Sequence, residues 1–331
     1  MKRHKPFLRK PLLMAGAAAL SYAGVKALLD LRPGADADFF NWTGPTAKGV
    51  DVGSAKIDLP IMYYRDDCFM GVFTAAYEPV RGLLPSRELY PVMASVGRAA
   101  DTARAMMVVI AFNYMETSVG PYGEIGIVIP CTYGRQAPPL LPLALEARYP
   151  GWGGFVLHLP VTSRVAHDGG RKIWGYTKFV ADMDFQKRPA FQRVRLAEGD
   201  AHILTLTVQQ SGLTLKDNRP LITYSVLNGQ LLKTTIPSRS VYQMGLTPGS
   251  GQLELGNHEI ADELRSLDIS TTPIATKNYL TRSGILPAGQ PLGPADRPHL
   301  GRVTQDRDFG RLTVNYDDAG ETIDLYARLR S

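Results

Sequence analysis

The stretch Gly170-Arg171-Lys172-Ile173-Trp174-Gly175-Tyr176-Thr177-Lys178-Phe179 places a lysine, Lys178, in an apolar run that reads as a strand. An amine there is either a nucleophile or a liability, because burial disfavours an ammonium and lowers lysine pKa values by up to about 3 to 5 units. At the unperturbed value near 10.4, on the order of one lysine in a few thousand is neutral at pH 7, so burial decides whether such a group attacks a carbonyl. The competing reading is a lysine that snorkels from a strand end, its stem packed and its head in water. Trp174 and Tyr176 share strand parity with Lys178 and are expected to wall its pocket, although core packing accounts for them equally well.

Outward from this stretch the chain reads as mainly β with a few helices (α+β). Residues 68–77 alternate in part, 105–114 form a nearly continuous apolar run, and 124–132 follow across a Gly-Pro-Tyr-Gly turn that suggests a hairpin. Residues 201–209 alternate at period two, and 221–227 and 252–255 add shorter strands. Helices are expected at 87–94, 140–148 and 259–267. Many strands and few helices imply a sheet curled into a barrel or sandwich, with the lysine inside.

Three segments together resemble the acetoacetate decarboxylase family. Gly170, Arg171, Tyr176 and Lys178 fall in register on the family's Gly-Arg, aromatic, Schiff-base lysine pattern. Gly120-Pro121-Tyr122-Gly123-Glu124 matches its Gly-x-Tyr-x-Glu turn, and His258-Glu259-Ile260-Ala261-Asp262 its His-x-x-Ala-Asp signature. The resemblance covers about residues 60 to 285. It implies an acetoacetate decarboxylase-like β-barrel, Lys178 as the imine-forming lysine, Glu124 as a catalytic carboxylate, and a homo-oligomer. Arg65, Tyr122, Tyr176 and Trp174 are the candidate substrate-binding residues. No metal or organic cofactor is called for, since the imine itself is the electron sink. A lysine that is desolvated or set beside another cation becomes nucleophilic, and acetoacetate decarboxylase is the standing example of that activation.

The chain also departs from the family pattern. Family decarboxylases carry Pro-Lys-Lys where this chain has Thr177-Lys178-Phe179, so the second lysine is absent. Successive strand residues point to opposite faces, so Phe179 need not share the lysine's cavity. The acid expected upstream on the glutamate-bearing strand falls at Val109. Arg65, the candidate for the family arginine, lies one residue out of register, a slip that turns a side chain to the other face.

Composition sets the frame. With 331 residues, 44% hydrophobic and 21% charged, the chain is globular in type. Of its formal charge of +6, five units come from Lys2, Arg3, Lys5, Arg9 and Lys10. The remainder is nearly balanced and carries no basic stripe with interleaved aromatics, which argues against nucleic acid. The basic start leads into an apolar stretch at 11–25 with Ser21-Tyr22-Ala23 as a small-x-small cleavage site. Residues 1–29 are therefore expected to be an export signal or membrane anchor, the alternative being an amphipathic helix on a cytoplasmic protein. Residues 30–56 read as a linker, 57–286 as the catalytic domain, and 287–331 as a Pro- and Gly-rich linker with a hairpin at 311–316 and 321–329.

Cys68 and Cys131, two in all, form no disulfide framework and no zinc or redox motif; both read as small buried hydrophobes. The six histidines show no metal-ligand spacing, and His158 and His202 read as core or rim residues. The expected function is a cofactor-independent Schiff-base decarboxylase of acetoacetate or a related β-keto acid, with a small keto acid as partner. Two alternatives stand beside it: imine-based aldol, dehydration or cyclisation chemistry on the same fold, and an exported ligand-binding barrel without turnover.

Overall fold

Aromatic and β-branched runs make up the long strands of the protein, seen in a computed structural model that describes residues 39–95, 102–140, 142, 149, 151–247 and 249–297. The expected N-terminal segment, most of the helix expected at 140–148 and the C-terminal hairpin lie outside the described residues. In chain order the first strands are β1 (Ala47–Asp51), β2 (Lys56–Leu59), β3 (Ile61–Ala76), β4 (Leu89–Pro91), β5 (Met93–Ser95), β6 (Arg104–Thr117), β7 (Tyr122–Tyr133) and β8 (Trp152–His158). There follow β9 (Asp182–Lys187), β10 (Phe191–Glu198), β11 (Ala201–Gln209), β12 (Leu213–Asp217) and β13 (Leu221–Leu227). The last are β14 (Gln230–Ile236), β15 (Ser238–Gly245), β16 (Gly251–Leu255), β17 (Ala275–Leu286) and β18 (Gln290–Pro294). Helices among the described residues include α1 (Tyr77–Gly82), α2 (Arg164–Trp174) and α3 (Glu259–Ser266).

The large sheet runs β12-β15-β17-β3-β6-β7-β8-β13-β14-β18, with β4 added on β7 and β5 on β6; a smaller sheet runs β16-β11-β10-β9. The mainly β class is as expected. The closed barrel is not: the hydrogen-bonded path ends at β12 and β18. Pro291 and Pro294 in β18 have no N–H to offer another strand, so that edge terminates pairing. Strand β1 lies in the stretch read as a linker, and β18 in the Pro- and Gly-rich stretch; both join by backbone pairing, which needs no apolar alternation.

Strand β7 is buried on both faces, which explains its almost unbroken apolar run. On one side Ile125, Ile127 and Ile129 pack with Phe69, Phe73 and Leu206 in the main core, closed by α3. On the other, Tyr122 joins Tyr63, Phe112 and Tyr114 in a second cluster with Trp174 of α2 and Ile57 of β2. Burying each such side chain stabilises the fold by about 1.5–3 kcal/mol.

Two local expectations are corrected. Residues 87–94 are not a helix but the short strands β4 and β5, because Pro91 cannot donate within a helix and its neighbours pair with β7 and β6 instead. Residues 170–174 are not a strand but the end of α2. Ser163 caps that helix by accepting from the Ala166 N–H, and Gly175 closes it in the left-handed region at φ 62°. The helix expected at 259–267 forms as α3, capped by His258, whose Nδ1 accepts from the Ile260 N–H at 3.1 Å.

Candidate active site

Helix α2 contributes one face to a cavity. Ala166, Gly170 and Trp174, four residues apart, lie on the same side and all line it. Trp174 is fixed by donating from Nε1 to the Pro287 carbonyl at 2.8 Å, and it stacks on Tyr176 with ring centroids 6.2 Å apart. Tyr176 shares a hydrogen bond with Thr223 of β13, the oxygens 2.7 Å apart. Strand parity was therefore the wrong reason for placing Trp174 and Tyr176 beside Lys178, since a helix end and its cap put them there.

After Gly175 the chain turns tightly, Lys178 N–H donating to the Tyr176 carbonyl at 2.7 Å, and is hydrogen-bonded along residues 157–161. Leu159 N–H donates to the Thr177 carbonyl at 3.1 Å, Val161 N–H to Phe179 at 2.9 Å, and Ala181 N–H to Val161 at 2.9 Å. The Thr177 hydroxyl donates to the Leu157 carbonyl at 2.7 Å, and Arg171 donates through Nη1 to the Lys178 carbonyl at 2.9 Å. Residue 161 also bridges to Glu124, so this segment carries Lys178 to the glutamate on β7. Alternation still separates neighbours here: Phe179 packs in the main core while Lys178 faces the cavity.

Lys178 Nζ donates to Glu124 Oε2 at 2.6 Å, with the two residues 5% and 7% exposed. Glu124 Oε1 accepts from the Tyr114 hydroxyl at 3.3 Å. The Lys178 ammonium lies 5.7 Å from the ring centre of Tyr122, and the Tyr122 and Tyr63 oxygens are 3.0 Å apart. Strand register explains the grouping, since Tyr122 pairs with Tyr114 and Glu124 with Phe112 across β6 and β7, all on one face. Burial pushes the phenols of Tyr63, Tyr114 and Tyr122 well above their usual range, and that of Tyr176 up to about 12, so all four keep their protons.

The cavity is small, and apolar side chains such as Ile57, Ile61, Val165 and Leu286 make up much of its wall. Among the described residues, Lys178 is the one charged residue in its lining. Five of the six candidate residues therefore come together: Lys178, Tyr122, Tyr176 and Trp174 in the lining, and Glu124 on the lysine. Arg65 does not join them. It is exposed, because the β3–β6 register shifts on both sides of it and turns inward Tyr63 and Asp66 instead. Val109 faces the main core. His158 bonds Glu263 of α3 and His202 bonds Thr205; neither lines the cavity. Among the described residues, no group of three or more His, Cys, Asp or Glu side chains is arranged to hold a metal ion.

Sequence reading missed Tyr63, Tyr114 and Thr223, which reach the site from strands far apart in the chain and belong to no local motif. It also missed a buried ion pair in which Arg282 of β17 donates to Asp66 of β3, with the guanidinium 4.6 Å from the centre of the Phe112 ring. Phe112 stacks on Tyr114, so the pair lies behind the tyrosine wall and outside the lining.

The family model for acetoacetate decarboxylase (ADC) matches residues 51–282. Among solved structures, the acetoacetate decarboxylase from Legionella pneumophila subsp. pneumophila str. Philadelphia 1 is 17% identical with a TM-score of 0.55, over 82% of this chain and 96% of that one. A second acetoacetate decarboxylase structure gives 15% identity and a TM-score of 0.51, over 71% of this chain and 90% of the other. The enduracididine biosynthesis enzyme MppR, complexed with the condensation product of pyruvate and imidazole 4-carboxaldehyde, gives 14% and 0.50, over 71% and 89%. At these identities the likeness is one of fold. No curated protein matches the chain.

Proposed function

The chain belongs to the acetoacetate decarboxylase family, and from that premise we propose that it is a cofactor-independent enzyme whose Lys178 forms an imine with acetoacetate or a related β-keto acid and releases carbon dioxide. The observation that carries this reading is the 2.6 Å contact between Lys178 and Glu124 at a cavity walled by apolar and aromatic side chains. Transfer of the shared proton to Glu124 leaves an amine able to attack the ketone. The protonated carboxyl then returns that proton to the carbinolamine oxygen, which departs as water. The resulting iminium accepts the electron pair of the breaking carbon–carbon bond as carbon dioxide leaves. Protonation of the enamine carbon and hydrolysis then release the ketone and the lysine.

The experiment is borohydride reduction in the presence of acetoacetate, with carbon dioxide release measured in parallel. The expected result is a covalent increment on Lys178 and turnover, both lost in Lys178→Ala and in Lys178→Arg, whose guanidinium stays protonated. Labelling spread equally over Lys172, Lys178 and Lys187 would sink the imine reading and favour a ligand-binding protein. A second reading, imine chemistry other than decarboxylation, is favoured by the absence of a second cation among the described residues of the lining. Selective labelling of Lys178 without carbon dioxide would support it. Export or membrane attachment through residues 1–29 and homo-oligomeric assembly go with the proposal, and fractionation and sedimentation test them.

A further inference from the structure

Tyr63 and Tyr122 both line the cavity, each 6% exposed, and they hydrogen-bond to one another. Two hydroxyls carry two protons, and their mutual bond uses one. The other has no acceptor among the described residues. A buried donor without an acceptor is disfavoured, and in a cavity the missing acceptor is a water or a ligand.

We propose that Tyr63 and Tyr122 together form a neutral hydrogen-bond site for the carboxylate of a substrate joined to Lys178. The inference rests on the imine reading above and deepens it. Tyr63, Tyr122 and Lys178 line the same cavity. In a β-keto acid bound at Lys178 the carboxylate carbon stands about 3–4 Å from the nitrogen, given bonds of roughly 1.3–1.5 Å. A charge-assisted O–H···O bond adds about 2.5–2.7 Å, so the site requires a hydroxyl within that combined reach of the amine. The other polar groups are committed or of the wrong sign. Trp174 Nε1 donates to Pro287, Tyr176 is bonded to Thr223, and Glu124 is an acceptor that repels a carboxylate. Arg65 is outside and Arg282 is held by Asp66.

A neutral clamp also suits the reaction. The carboxylate loses its charge as carbon dioxide forms, so a guanidinium would stabilise the ground state more than the transition state and slow the step. Two phenols orient the group without that penalty, and burial keeps both protonated where a β-keto acid is ionised.

The test is the Tyr63→Phe/Tyr122→Phe double variant of the full chain, which removes both oxygens and so leaves neither hydroxyl partner orphaned. Half-saturating concentrations for borohydride trapping at Lys178 are measured with acetoacetate and with acetone, which lacks the carboxylate. The expected result is a rise of about 10- to 100-fold for acetoacetate, with acetone and the melting midpoint unchanged. Each single Phe variant keeps one donor and should shift the ratio less. Equal shifts for both ketones, or no shift, overturn the proposal while the imine reading stands. Failure of the unaltered protein to trap either ketone overturns the imine reading itself and this site with it.

Discussion

Gly170 lies against Lys178 so closely that a methyl group on residue 170 would meet the lysine's Cδ and Cε at 2.4 Å. The glycine of the Gly-Arg pair is thus the floor on which the lysine rests, and the arginine beside it anchors the lysine's carbonyl. Gly170→Ala should push the amine off Glu124 while leaving α2 intact. Displacement of about 1 Å costs on the order of 10²-fold in rate, so turnover and trapping should fall by about that factor with the melting midpoint nearly unchanged. Retention of full activity would show that the lysine has another productive position.

Gly175 tests the helix end. Its φ of 62° and a Val226 carbonyl oxygen 2.0 Å from where a Cβ would stand make any side chain a backbone collision. Gly199 has a similar φ of 57° with nothing within 4 Å. Gly199→Ala should cost only the left-handed strain, about 1–2 kcal/mol, and Gly175→Ala distinctly more, read from urea midpoints. Equal losses would count against the contact.

The buried pair of Arg282 and Asp66 should behave as a unit. Arg282 lies among Asp66, Tyr114, Cys68 and Tyr279; burial by itself would lower its pKa, but those neighbours hold it well above the ordinary value, so the guanidinium stays charged. Arg282→Met leaves an uncompensated carboxylate and should destabilise by about 3–5 kcal/mol, whereas Asp66→Leu combined with Arg282→Met should recover most of that loss. A double variant as unstable as the single would refute the coupling.

Alkaline stability follows from the tyrosines. Burial raises the phenols of Tyr63, Tyr114, Tyr122 and Tyr279 above the ordinary value near 10. Their neutral forms are favoured in the folded state, so this stability is fully present below pH 10 and is lost as pH rises from there toward the folded values. Absorbance at 295 nm should show these phenols ionising only with cooperative unfolding. Smooth titration near pH 10 in the folded state would refute their burial.

Cys68 and Cys131 are free and fully buried, and burial raises both thiols, Cys131 to about 12. Neither should react with a thiol reagent at pH 8 until denaturant is added. Rapid labelling of the folded protein would contradict their place in β3 and β7.

The sequence by itself determined the mainly β class, most long strands, the capped helix at Glu259–Ser266 and the lysine–glutamate pair. These were legible because alternation and the Gly-Arg, Gly-x-Tyr-x-Glu and His-x-x-Ala-Asp segments are local patterns in contiguous residues. Tertiary structure alone decided that Gly170–Trp174 ends a helix, that residues 87–94 are edge strands, that the large sheet stays open, and that Arg65 faces solvent while Tyr63 faces the cavity. The helix end is fixed by Ser163 and Gly175, two caps that an apolar-run reading passes over; the others turn on a partner distant in the chain or on a register shift. A slip of one residue turns a side chain to the other face, and the register between β3 and β6 is set by packing between strands far apart in the chain rather than by either strand's own pattern, as the pairing of Arg65 with Glu116 records, one step out of the register that pairs Tyr63 with Thr117 and Asp66 with Tyr114.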